Sequence, residues 1–172
     1  MKIINYKRKL KLTKQQQQCV DSWIGACKFV YNLALETRIS AWQKQKSIGK
    51  YELMKQLVDP KDVDWIADIP SQSLRKVIER LDVAYQKFFS GGGFPRWAAK
   101  HRYNSILLKS VEVAGSPGDG NYVKLPKLGK VKTFKDRFVH GKPKTATIIR
   151  EHDGYYICIT AADRFSIRAV SF

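Results

Sequence analysis

From Val20 to Leu35 the apolar residues recur at steps of three and four: Val20, Trp23, Ile24, Cys27, Val30, Tyr31, Ala34 and Leu35. That spacing places one apolar stripe along a long helix. Thr13, with Gln16 three residues on, predicts its start, because the hydroxyl can accept from the N3 amide while the glutamine reaches back. The pattern carries the helix to about Lys46. Tyr51, Leu53, Met54, Leu57 and Val58 predict a short second helix, stopped by Asp59-Pro60. A third has Ser71 as its N-cap, a buried stripe of Leu74, Val77, Ile78, Leu81, Tyr85 and Phe88, and an end at Gly91-Gly92-Gly93.

Two other regions follow a period of two. Residues 2–12 alternate loosely, with Ile4, Tyr6, Arg8, Leu10 and Leu12 on one side and lysines with Asn5 on the other. This reads as a short basic strand. Residues 103–161 are rich in β-branched and aromatic residues, and predict strands at 105–113, 121–125, 130–134, 145–150 and 155–161. Asp153-Gly154 marks a hairpin between the last two. A strand at one end of the chain, strands at the other and helices between imply an α+β fold, a small β-barrel interrupted by an inserted helical bundle.

Charge narrows the partners. The chain of 172 residues carries a formal net charge of +17, with 44% hydrophobic and 12% aromatic residues, so it can bury a core yet repels itself. A polyanion is the natural partner, nucleic acid before an acidic membrane surface. No apolar run is long enough to span a bilayer, and MKIINYKRKLKL lacks the apolar core of a secretory signal. Cys19, Cys27 and Cys158 include no C-x-x-C pair, which argues against disulfide scaffolding and a zinc knuckle and points to a reducing cytosol.

Catalytic patterns are missing: no G-x-S-x-G elbow, P-loop or H-E-x-x-H occurs, and His101, His140 and His152 are scattered. Asp62, Asp64 and Asp68 cluster without a second set of ligands. No catalytic residue, metal or cofactor is expected from these residues. Three segments instead suit nucleic acid. FPRWAAKHRYNS at 94–105 combines Arg96, Lys100, His101 and Arg102 with the rings of Phe94, Trp97 and Tyr103, pairing cations for phosphates with stacking faces for bases. IPSQSLRK places Ser71, Gln72 and Arg75 at a helix start, where Gln and Arg can read base edges. YVKLPKLGKVKTF at 122–134 holds Lys124, Lys127, Lys130 and Lys132 outside the apolar positions Val123, Leu125, Leu128, Val131 and Phe134. Edge-strand lysines that block aggregation are the plainer account of that charge.

The ordered set KLKLTKQQ, GACKFVYNLAL, DWIADIPSQSL, LDVAYQKFF, GFPRWAAK, LPKLGKVK and TATIIREHDGYYICI resembles the N-terminal half of the OrfB/TnpB proteins of insertion-sequence transposons, over about residues 2–161. The resemblance implies a wedge-like barrel of oligonucleotide-binding type from residues 1–12 and 94–162, and a helical recognition lobe from 13–93, the first part of which is often described as a helix-turn-helix. Residues 163–172 do not resemble the family. It further implies a guide RNA from the transposon end and a duplex DNA target as partners, in a bacterial or archaeal cytosol near the nucleoid. By place rather than identity, DNA contacts fall at Tyr51, Lys55, Ser71, Gln72 and Arg75. RNA contacts are expected at Lys7, Arg8, Lys9, Arg96, Trp97, Lys100, Arg102, Lys124, Lys127, Lys130 and Lys132. The family's RuvC-like nuclease signatures are not found in these residues, so the expectation is binding without cleavage. A DNA-binding regulator derived from a transposase and a non-functional relic remain the alternatives.

Overall fold

The chain runs β1 (Lys2–Lys11), α1 (Lys14–Gln43), α2 (Lys50–Leu57), α3 (Asp64–Ala67), α4 (Ser71–Phe89), β2 (Ser105–Lys109), β3 (Glu112–Val113), β4 (Tyr122–Leu125), β5 (Gly129–Thr133), β6 (Lys142–Glu151) and β7 (Gly154–Asp163). These elements come from a computed structural model that describes residues 2–58, 64–109, 111–113, 121–134 and 139–163. The expected helix stop at Asp59-Pro60 and the tail from residue 164 onward lie outside the described residues, as does Asp62. Two units divide the chain: residues 1–17 with 107–172, and residues 18–106.

The first unit is built on the sheet, in the order β2-β6-β7-β1-β5-β4-β3. The fold is α+β, as the sequence implies. The barrel is not: among the described residues the order has two ends, β2 and β3, and does not close. β1 sits inside it and changes partner along its length, pairing antiparallel with β7 from Lys2 to Lys9 and with β5 at Leu10 and Lys11. Alternation sorts the side chains. Leu10, Val123, Leu125, Val131, Ala146, Ile148, Ile157, Ile159 and Ala161 are buried. The β6–β7 hairpin closes one residue earlier than Asp153-Gly154 predicts: Glu151 pairs with Gly154, leaving His152 and Asp153 as the turn. Gly154 has φ 142°, a backbone conformation that calls for glycine, and a Cβ there would lie 3.0 Å from Cε of the flexible Lys9 side chain.

Thr13 and Gln16 form the expected capping box. The Gln16 amide donates to Thr13 Oγ1 at 3.2 Å, and the Thr13 amide donates to Gln16 Oε1 at 3.0 Å. Gln16 Nε2 also donates to the Lys130 carbonyl at 3.3 Å, fixing the start of α1 against β5.

In the second unit all eight residues of the α1 stripe are buried, and Ala41 joins them. Burial pushes the Cys27 thiol up to about 12, so it stays protonated at neutral pH; Cys19 is only half-buried. α2 packs against α4 through Leu53 and Met54. α4 buries Leu74, Val77, Ile78, Leu81 and Tyr85, while Phe88 stays at the surface. Ser71 is the first helical residue and not the cap: Pro70 holds that place, with no side-chain capping bond. Arg38 ties α1 to its neighbours. It is ion-paired with Asp82 at 3.3 Å, donates from Nε to the Ile48 carbonyl at 2.9 Å, and lies 4.2 Å from the Tyr85 ring.

α1 and α4 end in the same way. At α4, Gly92 N–H bonds to Lys87 C=O at 2.8 Å and Gly91 N–H to Phe88 C=O at 3.0 Å, with Gly91 at φ 95°. At α1, Lys46 N–H bonds to Ala41 C=O at 2.8 Å and Gln45 N–H to Trp42 C=O at 2.9 Å, with Gln45 at φ 58°. Both are Schellman caps. α1 therefore stops at Gln43, short of the expected Lys46, because a non-glycine residue adopts the left-handed conformation. The two caps respond oppositely to substitution. Gln45→Gly should stabilise by up to about 1 kcal/mol by removing Cβ strain, offset in part by unfolded-state entropy. Gly92→Ala should destabilise, because its Cβ would lie 2.7 Å from the Lys87 carbonyl oxygen. Urea midpoints moving up for the first and down for the second are the expected outcome.

Candidate nucleic-acid interface

The outward face of β1, β5 and β4 gathers lysines from distant parts of the chain. Register places Lys132 opposite Tyr122 on one side and Lys11 on the other, and Lys124 opposite Lys130. All four lysines are exposed, and the residues between them, Leu10, Val123, Val131 and Thr133, are buried. Lys124 is ion-paired with Glu112 at 3.3 Å on the exposed surface. Among the described residues Lys11, Lys130 and Lys132 have no carboxylate partner. Phe134 departs from expectation: Thr133 takes the inner position and Phe134 is 45% exposed, with the Lys11 ammonium 4.3 Å from its ring centre. Edge protection does not account for this charge, since β5 and β4 are both interior to the strand order.

The turn joining these strands carries a further lysine. Pro126 fixes its own φ in the turn, and Lys127 takes the next position at φ 64°, a left-handed conformation where glycine or asparagine fits at lower cost. Gly129 follows at φ 71°.

Toward the start of β1 the charge is spent within the molecule. Lys7 is ion-paired with Glu151, and Lys9 with Asp153 at 3.4 Å. Their ammonium groups lie 4.6 and 5.6 Å from the centre of the Tyr156 ring. The Tyr156 hydroxyl donates to Asp153 at 2.6 Å and, with Lys9, holds that carboxyl below its usual range. Arg8 is 6% exposed, on the inner face with Leu10, and is removed from the candidate surface. The alternation of residues 2–12 already placed it there.

In the second unit, residues 94–104 form a loop with Arg96, Trp97, Lys100, His101 and Arg102 all exposed. Trp97 is 53% exposed, so it presents a ring to solvent and does not plug the core. The loop is held from beneath. Asn32 donates from Nδ2 to the Ala98 carbonyl at 3.1 Å and accepts the Ala98 amide on Oδ1 at 2.7 Å. Tyr103 is buried, 6.0 Å from the Tyr31 ring and 5.0 Å from the Arg80 guanidinium; burial holds its phenol well above the usual value. Sequence reasoning missed Asn32 because its partner is 66 residues away and is a backbone group. It also missed Lys11, though the period-two spacing from Lys9 marks it as outward-facing.

Tyr51 and Lys55 are exposed on one face of α2, one turn apart. Ser71, Gln72 and Arg75 are exposed at the start of α4, with Ser73 and Leu74 turned inward. The α2–α4 packing holds both helices within the second unit. Among the described residues no group of three or more His, Cys, Asp or Glu side chains could hold a metal ion, and no helix is long and apolar enough to cross a membrane.

Comparison with known proteins agrees with the resemblance carried by the motifs. A helix-turn-helix domain model of the OrfB IS605 type matches residues 1–47, the span of β1, α1 and its C-terminal cap. Over 157 residues, 88% of this chain, the sequence is 29% identical to InsQ of Escherichia coli (strain K12), named as an RNA-guided DNA endonuclease. The chain spans 39% of the length of that relative.

The Asn32 clamp sets the shape of the 94–104 loop. Asn32→Ala leaves two part-buried backbone groups of Ala98 without their side-chain partner, and should destabilise by about 1–3 kcal/mol. Faster amide exchange at Ala98 and a lower urea midpoint are expected, whereas an unchanged exchange rate would remove the clamp from the account.

Proposed function

We propose that this chain is a nucleic-acid-binding segment of an OrfB/TnpB-type protein, and that it holds RNA and contacts duplex DNA without cutting either. The observation that carries the reading is the lysine row on β1, β5 and β4. Lys11, Lys130 and Lys132 point outward, next to Lys124 and the ring of Phe134, and no described carboxylate answers those three. Cations displace counterions from phosphates, and a ring beside them gives a base somewhere to lie. The similarity to a relative named as RNA-guided supports a transposon-end guide RNA as the ligand. RNA recognised by shape and backbone suits a sheet face of this kind.

In the second unit, Arg96, Trp97, Lys100 and Arg102 of the 94–104 loop are assigned to RNA as well. The exposed residues of α2 and α4 form a second surface, assigned to duplex DNA: Tyr51 and Lys55 on one helix, Ser71, Gln72 and Arg75 on the other. Lys7 and Lys9 contribute less, because Glu151 and Asp153 already neutralise them.

Three measurements test the assignment. Replacing Lys11, Lys130 and Lys132 together with alanine should weaken RNA binding and reduce the log–log salt slope by about 2–3, at roughly 0.7–0.9 per phosphate contact. An unchanged slope would move the interface elsewhere. Lys127→Gly should separate folding from binding: relief of the left-handed backbone raises the urea midpoint while RNA affinity falls. Arg75→Ala should relax sequence preference on duplex DNA more than it lowers RNA affinity; equal losses for both ligands would remove α4 from the DNA surface.

A further inference from the structure

A groove of about 420 Å3 lies in the second unit at the C-terminal ends of α1 and α4. Its walls are aromatic: Trp42 from α1, Tyr85, Phe88 and Phe89 from α4, and Phe94 from beyond the glycine cap. The caps explain the meeting. Gly91 and Gly92 turn the chain back, so the Phe94 ring meets Phe88 edge-on at 5.2 Å and Tyr85 at 5.8 Å. Phe88 and Phe89 lie 5.5 Å apart. Scattered apolar residues on a surface are ordinary, but contiguous rings around a concavity mark a place where something binds. Trp42 is 76% exposed and Phe89 75%, and Trp42 has no ring partner among the described residues.

Charge selects the occupant. Arg38 and Lys46 line the groove, and no Asp or Glu does. Arg38 is occupied by Asp82 and the Tyr85 ring and serves as wall, whereas Lys46 is exposed at the rim. A second copy of this chain would bring the same cations and a net charge of +17 against them. An unpaired nucleotide offers what the groove lacks: a flat apolar base and an anionic phosphate. The volume also falls in the usual range for small-ligand pockets, about 300–1,000 Å3. We propose that this groove takes an unpaired base of a single-stranded nucleic acid, stacked on Trp42 with its phosphate at Lys46. The proposal rests on the nucleic-acid reading above, but on residues separate from the lysine row. Paired bases have their faces covered by their neighbours, so a duplex gains nothing from the groove.

The experiment compares the full chain with Trp42→Ala, Lys46→Ala and the triple lysine variant of the sheet. Probes are a short single-stranded RNA, the same strand with abasic positions, and a duplex of the same sequence, each over a salt series. Trp42→Ala should weaken single-strand binding about tenfold, as expected for one stacked base, with an unchanged salt slope and no effect on duplex. Lys46→Ala should lower the single-strand slope by about one phosphate contact. Abasic strands should bind the parent no better than they bind Trp42→Ala. Single-strand affinity unmoved by Trp42→Ala would overturn the groove and leave the lysine row standing, while a parent that binds no probe would overturn both. Self-association of the parent that Trp42→Ala abolishes would give the groove to a second copy and overturn the proposal. Because Trp42 is largely solvent-exposed, its loss leaves the fold intact; a matching urea midpoint for the variant verifies this.

Discussion

The hydrogen bonding of β1 along both edges is the constraint on which the sheet depends. β7 satisfies it from Lys2 to Lys9 and β5 satisfies Leu10 and Lys11, so one strand from the N-terminus joins two ladders made by the rest of the unit. The register is costly to change. A slip of one residue would turn Leu10 outward and the lysines inward, exchanging a buried aliphatic group for buried ammonium groups. That fixed register is also what sets Lys132 between Lys11 and Tyr122. The charged face is thus a consequence of the pairing that buries Leu10, and the two cannot vary independently. The Gln16 bond to the Lys130 carbonyl extends the same constraint into the first turn of α1.

In the helical unit the comparable constraint is the way helices end. An α-helix leaves its last carbonyls without partners, and both Schellman caps satisfy them by reversing the chain. At α4 glycines do this without strain; at α1 Gln45 does it against the preference of a Cβ-bearing residue. The α4 reversal brings Phe94 back to the rings of the last turns of α4. Tyr85 is buried among them, with Arg38 across its ring, while Trp42 and Phe89 are left facing solvent. Compensating burial of those rings by a neighbouring element is not seen among the described residues.

Local physics made much of this legible in the sequence. The Thr13–Gln16 box, the eight-residue stripe of α1 and the strands around Pro126 and Gly129 depend on neighbours a few residues away. What escaped depends on longer reach or on an exception to preference. The end of α1 is not legible in sequence because nothing in Lys44-Gln45-Lys46 signals a left-handed residue. Asn32 is silent in sequence because its partner is the backbone of Ala98. The hydrophobicity of Phe134 points inward and its parity outward, and strict alternation from Val131 puts Thr133 inside and Phe134 out. Arg8 shows the converse: its parity was right, and its charge misled. Closure of the sheet depends on its two outer strands meeting, which no local pattern encodes.

The distribution of charge, more than its total, bears on what the molecule does. Like charges directly opposite on paired strands oppose folding by a few tenths of a kcal/mol up to about 1 kcal/mol. Lys7 and Lys9 face Cys158 and Tyr156 across the ladder, and Glu151, Asp153 and the Tyr156 ring answer their charge. Across Lys124 and Lys130, and Lys132 and Lys11, the chain accepts like-charge pairs with Glu112 as the described carboxylate nearby. Lys127 adds a second cost, a left-handed backbone held by a residue poorly suited to it. Solubility does not require lysines on interior strands, and turn geometry would be better served by glycine. A polyanion lying across β1, β5 and β4 answers the first objection, because attraction to its phosphates offsets the repulsion that opposes folding of the free chain. By the same reasoning the start of β1 makes a poor interface, since a phosphate there must first displace carboxylates already in place.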